Sequence, residues 1–212
     1  MYCPHCCGAE QIFGQALAEH DLRDYRAHGP SRTTRLLVEA LETEGIKDQR
    51  LLDIGGGVGA VQHELLKAGA SEAISVEASS AYLQAERQEA ERQGHAGRIT
   101  YYHGDWVDLA PQLPPVDVVT LDRVICCYPD VRALVGLSAA HAAKLYGIVF
   151  PRDTWWIKAG SRLINLALRL SHNPFRAFVH PTKEIEAEIR GKGLERRYHR
   201  KTFLWQIMVY AR

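Results

Sequence analysis

From about residue 50 onward, short apolar runs alternate with stretches in which apolar residues recur at helical spacing. The apolar runs are RLLDI, EAISVE, RITYYHG, VDVVTLD and LYGIVF, and the helical stretches between them include VQHELLKAG, SAYLQAERQEAERQG and VRALVGLSAAHAAK. Strands that alternate with helices along the chain predict a parallel sheet covered by helices on both faces. We therefore expect a doubly wound α/β fold.

The segments on either side of this alternating region predict further elements. Before it, a helical patch ends at the Gly29-Pro30 break, and Ser31 can cap a second helix that stops at Gly45. After it come the tryptophan-rich helical segment RDTWWIKAGSRLINLALRLS and the shorter TKEIEAEIRGKG. Two final runs, LERRYH and TFLWQIMVY, predict a hairpin whose second strand closes the sheet as an antiparallel edge.

These boundaries predict a single domain over residues 1–212. Residues 1–48 form an N-terminal helical extension or lid, residues 49–150 a ligand-binding core, and residues 151–212 a lid helix with the C-terminal hairpin. With the hairpin included, we expect seven strands in one mostly parallel sheet.

Composition narrows the function classes. The formal net charge is +1 and 24% of residues are charged, so no global field favours nucleic acid or an anionic surface as the main partner. No apolar stretch approaches the roughly 20 residues that a membrane span needs, and the N-terminus lacks a signal-peptide pattern. We expect a cytoplasmic protein; its oligomeric state is left open.

The stretch DIGGGVGA carries the first chemical signal. Gly55, Gly57 and Gly59 follow an apolar run at every second position, which lets the backbone turn tightly and approach a ligand at a helix N-terminus. With Ala60, the stretch also fits the dinucleotide pattern G-x-G-x-x-A, so NAD remains possible on this motif alone.

Acidic residues at the ends of the predicted strands carry the second signal. Asp53, before the first glycine, is placed to hold a cationic amino group, and Glu77 lies 22 residues past Gly55, where it can accept from ribose hydroxyls. In HGDW, Asp105 is placed to accept from an adenine amino group, and Trp106 to stack on the ring.

Together with the strand that ends at Asp122, this ordered set resembles the class I S-adenosylmethionine-dependent methyltransferases, which have a Rossmann-like fold. The resemblance implies that the glycine turn holds the methionine part of S-adenosylmethionine, the second acid the ribose and the third the adenine. The implied cofactor-binding residues are Asp53, Gly55, Gly57, Gly59, Glu77, Asp105, Trp106 and Asp122. A short-chain dehydrogenase would carry Tyr-x-x-x-Lys, and none of the nine tyrosines has lysine four residues on. A non-catalytic module that binds S-adenosylmethionine or its demethylated product stays an alternative.

The segment LDRVICCYPD after the fourth strand, called the acceptor loop below, bears on the methyl acceptor. It lacks the Asn/Asp-Pro-Pro-Tyr motif of amino-group methyltransferases, and with GIVFPRDTWW and RRYHRKTFLW it is similar to the magnesium-protoporphyrin O-methyltransferases. That likeness implies a small, anionic, aromatic acceptor near Tyr25, Cys127 and Tyr128. A carboxylate with a pKa of ~4 to 5 needs no strong base, whereas a phenol or amine does, for which Asp122, Tyr25 and His141 are the candidates.

The tryptophan-rich segment and the cysteines complete the candidate chemistry. One face of this helix is cationic or polar and another is apolar; the first carries Lys158, Arg162, Asn165 and Arg169, and the second Leu163, Leu166 and Leu170. With Trp155 at its start, the helix can serve as a lid over a flat anionic acceptor. Alternatively, it presents a solvated basic face. The cluster of Cys3, Cys6 and Cys7 has half the ligands of a zinc site, and no metal is predicted. With Cys127 in the acceptor loop, thiols in two segments also resemble the arrangement in methyltransferases of trivalent arsenic.

Overall fold

A computed structural model describes residues 10–212, which form one seven-stranded sheet in the order β3-β2-β1-β4-β5-β7-β6. The strands are β1 (Arg50–Ile54), β2 (Glu72–Glu77), β3 (Ile99–His103), β4 (Val116–Asp122), β5 (Ala142–Pro151), β6 (Glu195–Lys201) and β7 (Trp205–Ala211). The helices are α1 (Gln15–His28), α2 (Arg32–Glu44), α3 (Ala60–Lys67), α4 (Ser80–Gln93), the short α5 (Trp106–Leu109), α6 (Val131–His141), α7 (Trp155–Leu170) and α8 (Thr182–Gly191). The predicted doubly wound, Rossmann-like α/β fold is confirmed.

The first five strands pair in parallel and the last two antiparallel. One detail of the predicted hairpin differs from the structure: β7 lies between β5 and β6, so the first hairpin strand, not the second, forms the sheet edge. The burial pattern gives the reason. β7 is buried along nearly its whole length, whereas the charged run ERRYHRK of β6 is largely exposed, and charged residues suit an edge strand.

Both faces of the sheet are covered, which is why β4 and β5 are almost continuously apolar. On one face, Leu134 of α6 and Ile185 of α8 belong to a core cluster with the central strands. On the other, Leu37 and Leu41 of α2 pack with Leu65 of α3. The two layers fix the strand ends, and hence the residues that follow them, in a rigid frame.

The end of α1 and both ends of α2 lie at the predicted signals, and side chains of both helices reach the cavity at the carboxyl ends of the strands. Ser31 Oγ accepts from the backbone N–H of Thr34, and Gly45 ends α2 with a φ of 92°. α1 is held to α4 by a hydrogen bond of 2.5 Å from Tyr82 to Asp21 and an ion pair of 2.7 Å between Arg26 and Glu89.

Within residues 10–212, no helix has the length and apolar character needed to cross a membrane. The same part of the chain holds no group of three or more His, Cys, Asp or Glu side chains placed to bind a metal ion. Cys3, Cys6 and Cys7 lie outside the described residues.

Candidate functional site

A cavity of about 490 Å³ opens at the carboxyl ends of the parallel strands, beside the β1–β4 pair where the strand order reverses direction. Such a switch point is the usual ligand crevice of an open parallel sheet, and the volume lies in the range of small-molecule sites. Its wall is formed by the glycine turn after β1, the ends of β2 and β4, the loop after β4, and side chains of α1 and α2.

The glycine turn forms the floor of this cavity. Gly55, Gly57 and Gly59 have φ values of 65°, 60° and 80°, in the left-handed region that favours glycine. At Gly55 there is a second reason, because an added Cβ would lie 2.6 Å from Cγ2 of Val124 in the loop after β4. Glycine here therefore permits close contact between two parts of the wall.

Asp53 lies beneath the turn and not in the cavity wall, so the structure does not place its carboxylate toward a ligand as the sequence predicts. It is fully buried, Oδ1 accepts a 2.6 Å hydrogen bond from Thr120, and Oδ2 has no partner among the described residues. The cause is local: the turn folds back over the strand end, and a Cβ on Gly56 would lie 2.6 Å from Asp53 Oδ2. Burial raises the pKa of Asp53 to about 7.

A second buried carboxyl group, which is not among the residues predicted from sequence, lies beside Asp53. Glu86 of α4 accepts from Ser75 at 2.8 Å and from Gln62, and a Cβ on Gly56 would lie 3.2 Å from its Oε1. Burial raises the pKa of Glu86 well above its ordinary value. A signal was present, because polar Ser75 and Thr120 interrupt otherwise apolar strand runs at the positions that face these carboxyl groups.

Glu77 is placed in the cavity wall, at the end of β2. Its Oε2 accepts from the backbone N–H of Gly57 at 3.2 Å and its Oε1 from that of Ser79 at 2.9 Å. Burial raises its pKa above the ordinary value even though these backbone hydrogen bonds favour the charged form. The carboxylate thus links the glycine turn to the start of α4, and an ionised carboxylate has further lone pairs for a ligand.

Asp105 and Trp106 also line the cavity. Asp105 caps α5 by accepting from the backbone N–H of Val107 at 2.9 Å, and both its oxygens lie 3.0 Å from the hydroxyl of Tyr128. Trp106 is buried, its ring meets His141 edge-on at 4.9 Å, and its indole N–H is one of the few buried polar groups in residues 10–212 without a partner. The hydrogen bond from Tyr128 joins the acceptor loop to the acid expected to contact adenine.

The end of β4 supplies Asp122 and Arg123. Asp122 Oδ2 accepts from Thr34 at 2.5 Å and Oδ1 from Arg123 Nε at 3.2 Å. Arg123 has a φ of 64°, unusual for a residue with a side chain, and its N–H donates to the carbonyl of Val149 at 2.9 Å. Such conformations persist where the surroundings determine them, and they cluster at functional sites. Arg123 is not among the residues that the sequence motifs predict for the site.

Tyr25 lines the cavity with its ring, but its hydroxyl is directed at α3. It donates to Glu64 Oε1 at 2.7 Å, and burial raises the pKa of the phenol far above its ordinary value. Tyr25 therefore stays protonated and is a poor base. His141 is also removed from the base candidates, because its ring nitrogens face the carbonyls of Leu137 and Ala110 and it does not line the cavity.

Cys126, Cys127 and Tyr128 follow Arg123 in the cavity wall. The sulfur atoms of Cys126 and Cys127 are 3.6 Å apart. The hydrogen bond between the two thiols raises the pKa of Cys127 well above its ordinary value, and burial adds to this effect. The carbonyl of Cys126 accepts from Phe178 N–H at 2.8 Å, and that of Tyr128 faces His180 Nε2 at 2.9 Å. The segment after α7 thus supports the acceptor loop.

The tryptophan-rich helix α7 is not a lid over the cavity. Trp155 is 80% exposed, no α7 side chain lines the cavity, and Trp205 of β7 lies in the wall instead. The reason is the orientation of the helix: Ser161 and Asn165 both donate to the carbonyl of Ala177 at 2.8 Å, which turns its polar side inward.

Comparisons with known proteins agree with this geometry. Residues 51–143 match the Methyltransferase domain family. Ribosomal protein L11 methyltransferase from Edwardsiella ictaluri is 29% identical over 123 residues, which cover 55% of this chain and 42% of the relative. The protein of that name from Escherichia coli is 34% identical over 74 residues, which cover 35% and 25%. The chain thus spans less than half the length of these relatives.

Two solved structures share the fold. Magnesium protoporphyrin IX methyltransferase from Synechocystis PCC 6803 with bound SAH superposes with a TM-score of 0.69 at 20% identity, covering 85% of this chain and 82% of that one. An O-methyltransferase family protein from Burkholderia thailandensis gives a TM-score of 0.66 at 19% identity, covering 94% and 63%.

Proposed function

We propose that this chain is a class I S-adenosylmethionine-dependent methyltransferase and that it methylates a carboxylate oxygen of a small anionic molecule. The cofactor is S-adenosylmethionine, and the cavity fits it on three counts: its volume, the open glycine turn and the unpaired indole N–H of Trp106. We propose that Gly55, Gly57, Glu77 and Asp105 hold it. Asp53 and Gly59 act indirectly, by supporting the turn from below and by starting α3.

The choice of acceptor rests on which ionisable side chains the cavity wall contains and how they are paired. When bound, the cofactor supplies a methyl group on a positively charged sulfur. Among the described residues, the cavity wall contains no histidine or lysine, and Tyr25 is held protonated. The four aspartates of the described wall are each engaged by a neighbouring side chain: Asp21 by Tyr82, Asp24 by His28, Asp105 by Tyr128 and Asp122 by Thr34. An acceptor that arrives already ionised needs none of them as a base.

Among the described wall residues, Arg123 is the cation, and its guanidinium suits a carboxylate. Its Nε contacts Asp122, and a guanidinium has four further N–H donors in a planar fork that matches a carboxylate. The contact of Nε with Asp122 positions this half-exposed side chain at the cavity. Arg123 would orient the acceptor, while the apolar wall formed by Phe13, Val124 and Trp205 excludes water.

The test is methyl transfer from labelled S-adenosylmethionine to matched acceptors. Aromatic carboxylic acids, porphyrin carboxylates among them, are offered beside the corresponding phenols and amines, and beside ribosomal protein L11 as the acceptor named for the relatives. Label on the carboxylic acids, released as methanol by base, supports the proposal. Label on phenols, amines or L11 alone refutes it, and bound cofactor that never loses its methyl group points to a non-catalytic binding module.

The Arg123→Gln variant sharpens this test. We expect KM for the carboxylate to rise about tenfold or more, the scale of one charged hydrogen bond, while affinity for S-adenosylhomocysteine stays unchanged. Arg132→Gln, at an exposed arginine outside the wall, is the matched control. An unchanged KM in the Arg123 variant would remove Arg123 from the acceptor site.

The vicinal thiols favour one second candidate, methylation of a thiol-bound metalloid such as trivalent arsenic. Its support is the 3.6 Å separation of the Cys126 and Cys127 sulfurs in the cavity wall, since soft thiolates are the ligands that such ions prefer. Arsenite offered as acceptor to the wild type and to Cys126→Ser tests this candidate. Methylated arsenic that disappears in the variant supports it, and its absence in both proteins refutes it.

A further inference from the structure

The outward face of α7 and the neighbouring hairpin turn form an exposed apolar patch, defined here by Trp155, Leu163, Leu166, Leu170, Phe203 and Leu204. Trp155, Leu170 and Phe203 are 80%, 72% and 77% exposed, and the whole helix has no buried residue. The ring of Trp156 lies 4.7 Å from that of Phe203, which joins the two parts into one surface. An apolar surface of this continuity marks an interaction site.

The charges of α7 lie along one side of this patch. At about 100° per residue, Leu163, Leu166 and Leu170 fall within an arc of about 60°. Lys158, Arg162 and Arg169 occupy the adjoining arc, and the 16-residue helix contains no aspartate or glutamate. An apolar face with tryptophan and leucine beside a purely cationic strip is the pattern of a helix that lies in the surface of a membrane.

We propose that α7 docks this protein on an anionic lipid surface, with the apolar patch inserted at the boundary of the acyl chains. The cations would sit among the lipid headgroups, where long side chains reach polar surroundings while their stems stay on the apolar face. This role is peripheral, since the helix lies on the surface, and it is independent of the acceptor that the cavity takes.

Charge complementarity favours a lipid surface over a second copy of the chain. Pairing α7 with α7 would bring six cations together, and the helix offers no acid to neutralise them. The inward side of α7 is already used by the bonds from Ser161 and Asn165 to Ala177, so rotation of the helix to hide its leucines would break both. The patch therefore stays outward until something covers it.

Vesicle sedimentation tests the proposal with the whole chain. We expect the protein to pellet with phosphatidylglycerol vesicles and not with phosphatidylcholine vesicles, and added salt to weaken the binding, as screening requires. The variant L163Q/L166Q/L170Q should lower the bound fraction about tenfold, because it removes the inserted area. The variant K158Q/R162Q/R169Q should do the same on phosphatidylglycerol vesicles, because it removes the attraction to the headgroups.

Two controls separate docking from damage to the fold. The variant R32Q/R132Q/K192Q removes three exposed cations from other elements and should bind vesicles as the wild type does. All variants should keep their affinity for S-adenosylhomocysteine. The proposal is overturned if the wild type stays in the supernatant with phosphatidylglycerol vesicles, or if the leucine variant binds them undiminished. If the wild type does not bind vesicles but forms a dimer that the leucine variant does not form, the patch is a contact between two copies of the chain.

Discussion

Replacement of Asp53 by asparagine should change how the stability of this protein depends on pH. The fully buried carboxyl group has its pKa raised from an ordinary 3.8 to about 7, chiefly by burial, and the hydrogen bond from Thr120 opposes this. The folded protein therefore holds a proton that the unfolded chain releases above pH ~4. As pH rises from about 4 to about 7, the folded state becomes less stable relative to the unfolded state.

The size of the effect follows from the two pKa values. A difference of roughly 3 pH units, at about 1.4 kcal/mol each, makes the wild type lose about 4 kcal/mol across this interval through Asp53 alone. Asparagine has nearly the same shape and carries no charge, so Asp53→Asn should lack this loss. The variant should thus gain stability over the wild type steadily up to about pH 7, and the gain should level off above it.

Urea unfolding at a series of pH values from 4 to 8, roughly the window set by the two pKa values, measures the difference between the two proteins. Asp117→Asn is the matched control, because Asp117 accepts from the backbone of Arg50 and from Lys144, and its pKa is lowered despite partial burial. A lowered pKa contributes stability to the wild type that is lost only as pH falls. The stability of Asp117→Asn relative to the wild type should therefore rise towards the acid end, which is opposite to the trend for Asp53→Asn. A stability difference between wild type and Asp53→Asn that does not vary with pH would refute the reasoning.

Two further predictions concern cofactor binding. Gly55→Ala should weaken S-adenosylhomocysteine binding at least about tenfold by calorimetry, because φ is 65° and the new Cβ meets Val124, whereas Gly97→Ala, with open space around it, should bind normally. Glu77→Gln should weaken the same binding by about ten- to a hundredfold, because a charged hydrogen-bond acceptor in the wall is lost. The control Glu72→Gln, at the exposed start of β2, should bind as the wild type does. Equal affinities of the two glutamate variants would contradict the proposed role of Glu77.

The parts of the fold that the sequence predicted are those set by local periodicity. Strand and helix alternation identified β1 to β5, and the capping signals at Ser31 and Gly45 identified the ends of α2. The position of β7 inside the sheet could not be predicted in the same way. Both hairpin strands are close in sequence, so alternation alone does not say which one pairs with β5; the charged run of β6 and the apolar run of β7 were the signal that favoured β7 as the inner strand.

The candidate site shows the same division. Glu77 and Asp105 could be placed in the wall because carboxyl ends of parallel strands meet at one edge of a sheet. Asp53 follows the same rule in sequence, but the turn above it decides whether its side chain reaches the cavity. Arg123 could not be selected, since its left-handed backbone depends on the hydrogen bond to Val149 in another strand.

The hydrogen bond between Tyr128 and Asp105 gives the two halves of the cavity a thermodynamic link. Asp105 belongs to the side proposed for the cofactor, and Tyr128 to the loop proposed for the acceptor. Because a ligand that donates a hydrogen bond to Asp105 would compete with Tyr128, we expect occupancy of one half to change the free energy of binding in the other. Such coupling is reciprocal: the factor by which the acceptor tightens or loosens cofactor binding equals the factor by which the cofactor acts on the acceptor.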